Sequence, residues 1–99
     1  MQPGGSGAEL LVRERVVYPD GALVEMVVWR VPAPVPPATH GFKYRLVYVV
    51  GGKRIIGYDN ERGKGDHRHF KGEEKPYRFV SIDALLARFI TEVDQERRS

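Results

Sequence analysis

The 99-residue chain has no cysteine, which removes disulfides, thiolate nucleophiles and zinc fingers at once. Its only serines are Ser6, Ser81 and Ser99. The first lies in a Gly-rich opening, the second before a helical pattern and the last at the end, so a serine-hydrolase triad has nowhere to start. No apolar run approaches the ~18–20 residues that cross a membrane. The opening Met1–Gly7 has neither the basic region nor the apolar stretch of a secretion signal, and a cytoplasmic setting is expected. Arg62-Gly63-Lys64-Gly65 lacks the spacing of a Walker phosphate loop, which argues against nucleotide hydrolysis. The length suits one domain, and the 41% hydrophobic content is that of a folded one.

Charge is unevenly placed. The segment from Lys53 to Arg78 holds eight basic and five acidic residues, which is the whole of the chain's net +3. Two of the three histidines, His67 and His69, lie in the same segment. Positive charge gathered in one stretch points to a polyanionic partner.

Residues 1–8 read as a disordered tail and 9–99 as one α+β domain. Leu10–Tyr18 has strand character. Tyr18-Pro19-Asp20-Gly21-Ala22 then makes a hairpin turn, with proline fixing φ and glycine taking the positive φ. A second strand from Ala22 to about Val31 is apolar on both of its faces, which predicts cover on both sides. Pro32, Pro34, Pro36 and Pro37 make a stiff crossover. Lys43–Val50 and Lys53–Asp59 form a hairpin across Gly51-Gly52. That turn predicts the pairs Val50–Lys53, Tyr48–Ile55, Leu46–Gly57 and Tyr44–Asp59. Asn60–Lys75 is too polar and Gly-rich for a core element, and a short strand follows at Pro76–Val80. Ser81 is a good N-cap, and Val80 is placed to staple onto Leu85. Ile82, Leu85, Leu86, Phe89, Ile90 and Val93 repeat as one helical stripe. The expected fold is a four- or five-stranded, mostly antiparallel sheet with one C-terminal amphipathic helix on one face. Its other face should meet a second copy, giving a homodimer, or a partner protein.

Chemistry concentrates between Arg54 and Arg78. In extended chain His67 and His69 share a side. One neutral and one charged imidazole divide base and acid work near neutral pH. Arg62, Lys64, Arg68 and Lys71 supply positive charge for a phosphate and its transition state. RNA phosphodiester cleavage fits this set, because the substrate brings its own nucleophile, the 2′-hydroxyl. Asp59 is placed to orient one histidine. Arg54, Tyr58, Asn60 and Arg78 complete the candidate nucleic-acid contacts, although Asp59 and Asn60 are equally turn-capping residues. His-x-His is also a metal-ligand pattern, with Asp59, Asp66, Glu73 and Glu74 nearby. Two ligands do not define a metal, so no cofactor is assigned; a divalent ion held by His67, His69 and a nearby carboxylate is the alternative. His40 stands apart and is read as incidental.

Tyr58-Asp59-Asn60 at a strand end, then His67-Arg68-His69, then Tyr77-Arg78-Phe79 leading into an amphipathic helix resembles the TumE-like toxins. These are small proteins of prokaryotic toxin–antitoxin pairs, and the likeness runs from about Lys43 to Val93. The resemblance implies a toxin that acts on RNA or translation and is held inactive by a helix-turn-helix antitoxin. A ribonuclease-type toxin is therefore the leading expectation. A non-enzymatic module binding nucleic acid or protein is its rival.

Overall fold

A computed structural model describes residues 7–99, so six of the eight residues of the expected tail lie outside the described residues. Six strands follow in chain order: β1 (Glu9–Val17), β2 (Leu23–Arg30), β3 (Phe42–Val50), β4 (Lys53–Glu61), β5 (Gly65–Phe70) and β6 (Glu73–Pro76). Each pairs antiparallel with the next in one sheet, and the helix α1 (Ile82–Arg98) packs on one face. The α+β class and the C-terminal helix are as expected, with six strands instead of four or five.

The turns form for the reasons their residues suggest. Gly21 takes φ +87°. Its N–H donates to the Tyr18 carbonyl over 2.9 Å, and the Asp20 carboxylate accepts from the Ala22 N–H over 3.0 Å. Gly51 and Gly52, at φ +57° and +78°, close the β3–β4 hairpin. Ser81 caps α1 by accepting the Ala84 N–H at its hydroxyl. Val80, however, is 72% exposed and makes no staple. Leu85, Phe89 and Val93 are the buried stripe, while Ile90 sits at its margin.

Two departures from the expected strands have local causes. Asn60–Lys75 is not a loop: it supplies the end of β4, all of β5 and most of β6. Sheet pairing needs backbone groups, and polar residues join a strand where alternate side chains have partners on both faces. The expected Pro76–Val80 strand is displaced upstream, and Pro76 ends β6. The β3–β4 register agrees with expectation only at Val50–Lys53. Beyond it a bulge between Tyr48 and Val49 shifts the pairs to Tyr48–Ile56, Leu46–Tyr58 and Arg45–Asp59. The extra residue is Ile55, whose carbonyl accepts the Lys71 N–H over 2.8 Å.

The sheet therefore has two unlike faces. Val24, Val28, Tyr44, Leu46, Tyr48, Ile56 and Tyr58 form the core with the helix stripe. On the opposite face of the sheet lie Val27, Arg45, Asp59 and His67 in one paired row. Glu25, Val47, Gly57, His69 and Glu74 form the neighbouring row. No helix of the described chain lies on this second, open face.

The Pro-rich connection braces the β4–β5 turn. The Pro36 carbonyl accepts the Gly63 N–H over 2.9 Å, and Pro37 packs where a Cβ on Gly65 would stand, at 3.1 Å. His40 is not incidental. Its Nδ1 accepts the Phe42 N–H, so Nε2 carries the proton and donates to Asp66 across 2.7 Å. Its ring stacks on Phe79 with centroids 3.9 Å apart.

Candidate imidazole–carboxylate site on the open face

Asp59 on β4 and His67 on β5 are direct cross-strand partners, and His69 lies one row along, opposite Gly57. The two imidazole centroids are 5.0 Å apart with the rings nearly perpendicular. Both rings and the Asp59 carboxylate thus occupy one spot, as the His-x-His alternation predicts. Glu74 on β6 is the cross-strand partner of His69 and completes the cluster.

Hydrogen bonding fixes how each ring is used. The Nδ1 of His67 donates to the Gly65 carbonyl over 3.0 Å. Its Nε2 then stands 2.5 Å from Asp59 Oδ1 and 3.3 Å from Glu74 Oε2. Asp59 Oδ1 is buried and has no hydrogen-bond partner, so the short His67 contact does not run along a hydrogen-bonding direction. At His69 the order is reversed. The Arg54 guanidinium donates to Nδ1 over 2.8 Å, leaving the proton on Nε2, 3.9 Å from Asp59 and 3.8 Å from Glu74. Burial, and then the charge of Arg54, hold His69 below the usual histidine range and keep it neutral.

Gly57 makes the Arg54 contact geometrically open. A Cβ there would lie 2.9 Å from Arg54 Cδ, so the arginine crosses the sheet over the missing side chain to reach His69. Beside the cluster, Lys64, His67, Glu74, Lys75 and Pro76 line an open cleft of about 260 Å³. The Lys64 ammonium pairs with Glu74 over 2.8 Å and holds that carboxyl below the usual carboxylate range. A larger groove, about 570 Å³, is bordered by Lys53, Arg54 and Lys71 but by neither histidine of the cluster.

Several other expected site residues have different surroundings. Asn60 and Tyr58 are both 0% exposed. The Asn60 amide accepts the Tyr44 N–H over 3.0 Å and donates to the Phe42 carbonyl over 2.7 Å, stitching β4 to the start of β3. Tyr58 donates to Glu92 on α1 over 2.6 Å. Arg68 faces the helix, donating to Glu92 over 2.6 Å and to the Tyr58 hydroxyl over 3.0 Å. Lys71 pairs with Glu96 over 3.0 Å. Arg62 and Arg78 are exposed. Asp66, one of the carboxylates weighed for a metal, lies on the helix face, where it accepts from His40 and Tyr44.

The open face carries cations that segment-wise charge counting missed. Arg13 is paired with Val27 and Arg15 with Glu25; Lys43 is paired with Trp29 and Arg45 with Val27. Arg45 also lies directly opposite Asp59. Among the described residues Arg13 and Arg45 form no ion pair, and both are exposed. The signal was present as period-two spacing, Arg13-x-Arg15 and Lys43-x-Arg45.

The molecule is thus a small α+β protein in which the sheet face without a helix, among the described residues, joins a cationic surface to an imidazole–carboxylate cluster whose His67 is only 4% exposed. Residues 7–97 match the family described as Toxin TumE, and the chain belongs to that family. The match extends to the first two strands, beyond the Lys43–Val93 stretch that carries the motif resemblance. No curated protein and no solved structure matches the chain. Among the described residues no helix is long and apolar enough to cross a membrane.

Proposed function

We propose that this toxin cleaves RNA at the Asp59–His67–His69 cluster. The observation that supports the reading most directly is the convergence of two differently bonded imidazoles on the cationic open face. RNA would lie along that face on Arg13, Arg15, Arg45 and Lys43, with Trp29 as a stacking surface for a base. Lys64, at the cleft, and Arg54, which borders the larger groove and reaches His69, would contact the phosphate.

In this reading His69 is the base. Its lone pair is on Nδ1, under Arg54, and a phosphodiester anion offers the guanidinium an opposite charge and two acceptor oxygens for a bidentate contact, where the imidazole offers one neutral nitrogen. Arg54 moves onto the phosphate and uncovers Nδ1, which takes the proton of the 2′-hydroxyl. The 2′-oxygen attacks phosphorus and the P–O5′ bond breaks. His67, between two carboxylates, gives its Nε2 proton to the departing 5′-oxygen. The products are a 2′,3′-cyclic phosphate and a 5′-hydroxyl, and the two rings have exchanged protonation states. The Gly65 carbonyl positions His67, the Asp59 carboxylate at 2.5 Å favours its charged form electrostatically, and Arg54 offsets the charge developing on phosphorus.

A homodimer built across the open face would bury the cluster. We assign that face to RNA and, in the inhibited state, to the helix-turn-helix antitoxin that the family resemblance implies. The test is cleavage of RNA and of DNA of the same sequence by purified protein. RNA alone is expected to be cut, and His67→Ala with His69→Ala to abolish cutting while the thermal melt stays cooperative. Unchanged cleavage by that folded double variant overturns the assigned roles. Salt-sensitive RNA retention with no cleavage by the parent chain supports the binding-module reading in its place.

A further inference from the structure

We infer that the same cluster is a binding site for one divalent transition-metal ion of the zinc class, held by Asp59, His67 and His69 with Glu74 as fourth donor. The inference takes its biological meaning from the cleavage reading, but it rests on the donor geometry alone.

The first ground is the unpartnered oxygen. Asp59 Oδ1 is buried with no hydrogen-bond partner, and a buried carboxylate oxygen without one is costly. Around it stand the ligand types zinc prefers in a cysteine-free protein. One ligand atom from each of Asp59, His67 and His69 lies within 4.8 Å of the others. A tetrahedral ion with bonds of ~2.0–2.1 Å holds its donors about 3.3–3.4 Å apart. The distances here bracket that value: 2.5 Å from His67 Nε2 to Asp59 Oδ1, 3.3 Å from His67 Nε2 to Glu74 Oε2, and 3.8 and 3.9 Å from His69 Nε2 to the two carboxylates. Asp59, His67 and His69 make the mutually close set, and Glu74, within 3.3 Å and 3.8 Å of the two histidine nitrogens, is the nearest further carboxylate to join it.

The second ground is the outer shell. A metal-bound histidine ordinarily gives its other ring N–H to a carbonyl or carboxylate. His67 already does so, through Nδ1 to Gly65, which leaves Nε2 facing the cluster. The donors also come from three adjacent paired strands, a support more rigid than a loop.

His69 makes the inference specific. To coordinate through Nε2 it must carry its proton on Nδ1, which is where Arg54 donates. Metal binding and the Arg54–His69 contact therefore exclude each other. Glu74 has no such conflict, since its carboxylate can ligate an ion while still accepting from Lys64. Removing Arg54 should tighten the metal, the reverse of what loss of a ligand does.

The experiment is calorimetric titration of EDTA-treated, dialysed protein with Zn²⁺, alongside the visible spectrum of the Co²⁺ form. The expected result is one ion per chain and the intense Co²⁺ absorption of a tetrahedral site. Asp59→Asn should weaken affinity at least tenfold, and His67→Ala should abolish the Co²⁺ band. Arg54→Gln should bind several-fold more tightly. Each variant is checked by its thermal melt, and Arg54→Gln removes only an exposed side chain. No binding by the parent chain overturns the inference, as does Arg54→Gln affinity equal to or weaker than the parent's. Cleavage is read separately. RNA cutting that persists in EDTA and stops with Zn²⁺ supports an ion that competes with protons for the two rings. Cutting that requires the ion supports the site and overturns the proton roles given above.

Discussion

Asn60 separates a structural from a nucleic-acid reading of the Tyr-Asp-Asn segment, and the cost of removing it can be worked from its contacts. The Asn60→Ala change deletes the acceptor of the Tyr44 N–H and the donor to the Phe42 carbonyl, in a side chain that is 0% exposed. A buried group left without a partner costs ~1–3 kcal/mol, and here there are two. The Phe42 carbonyl lies at the start of β3, where solvent lessens its share. We therefore expect about 2–4 kcal/mol of lost stability. For a domain of this length that lowers the melting temperature by roughly 10–25 °C. Asn60→Asp should cost as much, because it retains the acceptor for Tyr44 but sets an oxygen against the Phe42 carbonyl. The assay is urea unfolding followed by Trp29 fluorescence, with RNA affinity measured on the folded fraction. A loss below about 0.5 kcal/mol, the range of ordinary surface substitutions, together with weakened RNA binding would refute the assignment of Asn60 to the scaffold.

Three further outcomes follow from the geometry. Gly57→Ala places a Cβ 2.9 Å from Arg54 Cδ; RNA cleavage should fall by about the 10²–10³ seen for loss of one charge-stabilising donor, with Zn²⁺ affinity raised and stability nearly unchanged. Arg68→Ala or Glu92→Gln should each cost about 2–4 kcal/mol, toward or below the low end for a buried pair because Arg68 is partly exposed; a double-mutant cycle by urea unfolding should show strong coupling, and RNA affinity of folded Arg68→Ala should stay at the parent's value. Arg45→Ala should leave the melt unchanged and reduce the salt slope of single-stranded RNA binding by about 0.7 for each phosphate that is no longer neutralised, read by fluorescence anisotropy at several salt concentrations.

Much of the fold is readable along the chain, and the reasons are local. Pro19-Asp20-Gly21, Gly51-Gly52 and Ser81 are punctuation whose backbone consequences depend on few neighbours. Leu85, Phe89 and Val93 carry the helix period. What is not legible there depends on pairing across the sheet. The bulge at Ile55 moves every β3–β4 pair beyond it by one residue, and no turn rule foresees that. β5 is hidden because Asp66, His67, Arg68 and His69 have no apolar alternation. Their partners are Tyr44, Asp59, Glu92 and Arg54, which only the sheet and the helix bring to them.

Once β5 is known to be a strand, counting alone sorts the site. Asp59, His67 and His69 fall on one face, and Tyr58, Asn60 and Arg68 on the other. Residue types without their faces put all six together. This alternation also explains how so small a protein steadies a half-buried polar cluster on the sheet face that carries no helix among the described residues. Every second residue of β4 and β5 anchors the sheet from behind: Ile56 and Tyr58 in the core, Asn60 to β3, and Arg68 to Glu92 on the helix. The residues between them are left free for chemistry. Gly57 is the one interruption, where an absent side chain admits Arg54. The Pro-rich connection secures the β4–β5 turn from outside through Pro36 and Gly63. The strands that carry the histidine pair are therefore held from behind, in addition to the bonds of His67 to Gly65 and of His69 to Arg54. Substitutions on the helix face should act on activity through stability, whereas substitutions at Asp59, Gly57 or Arg54 should act on it directly.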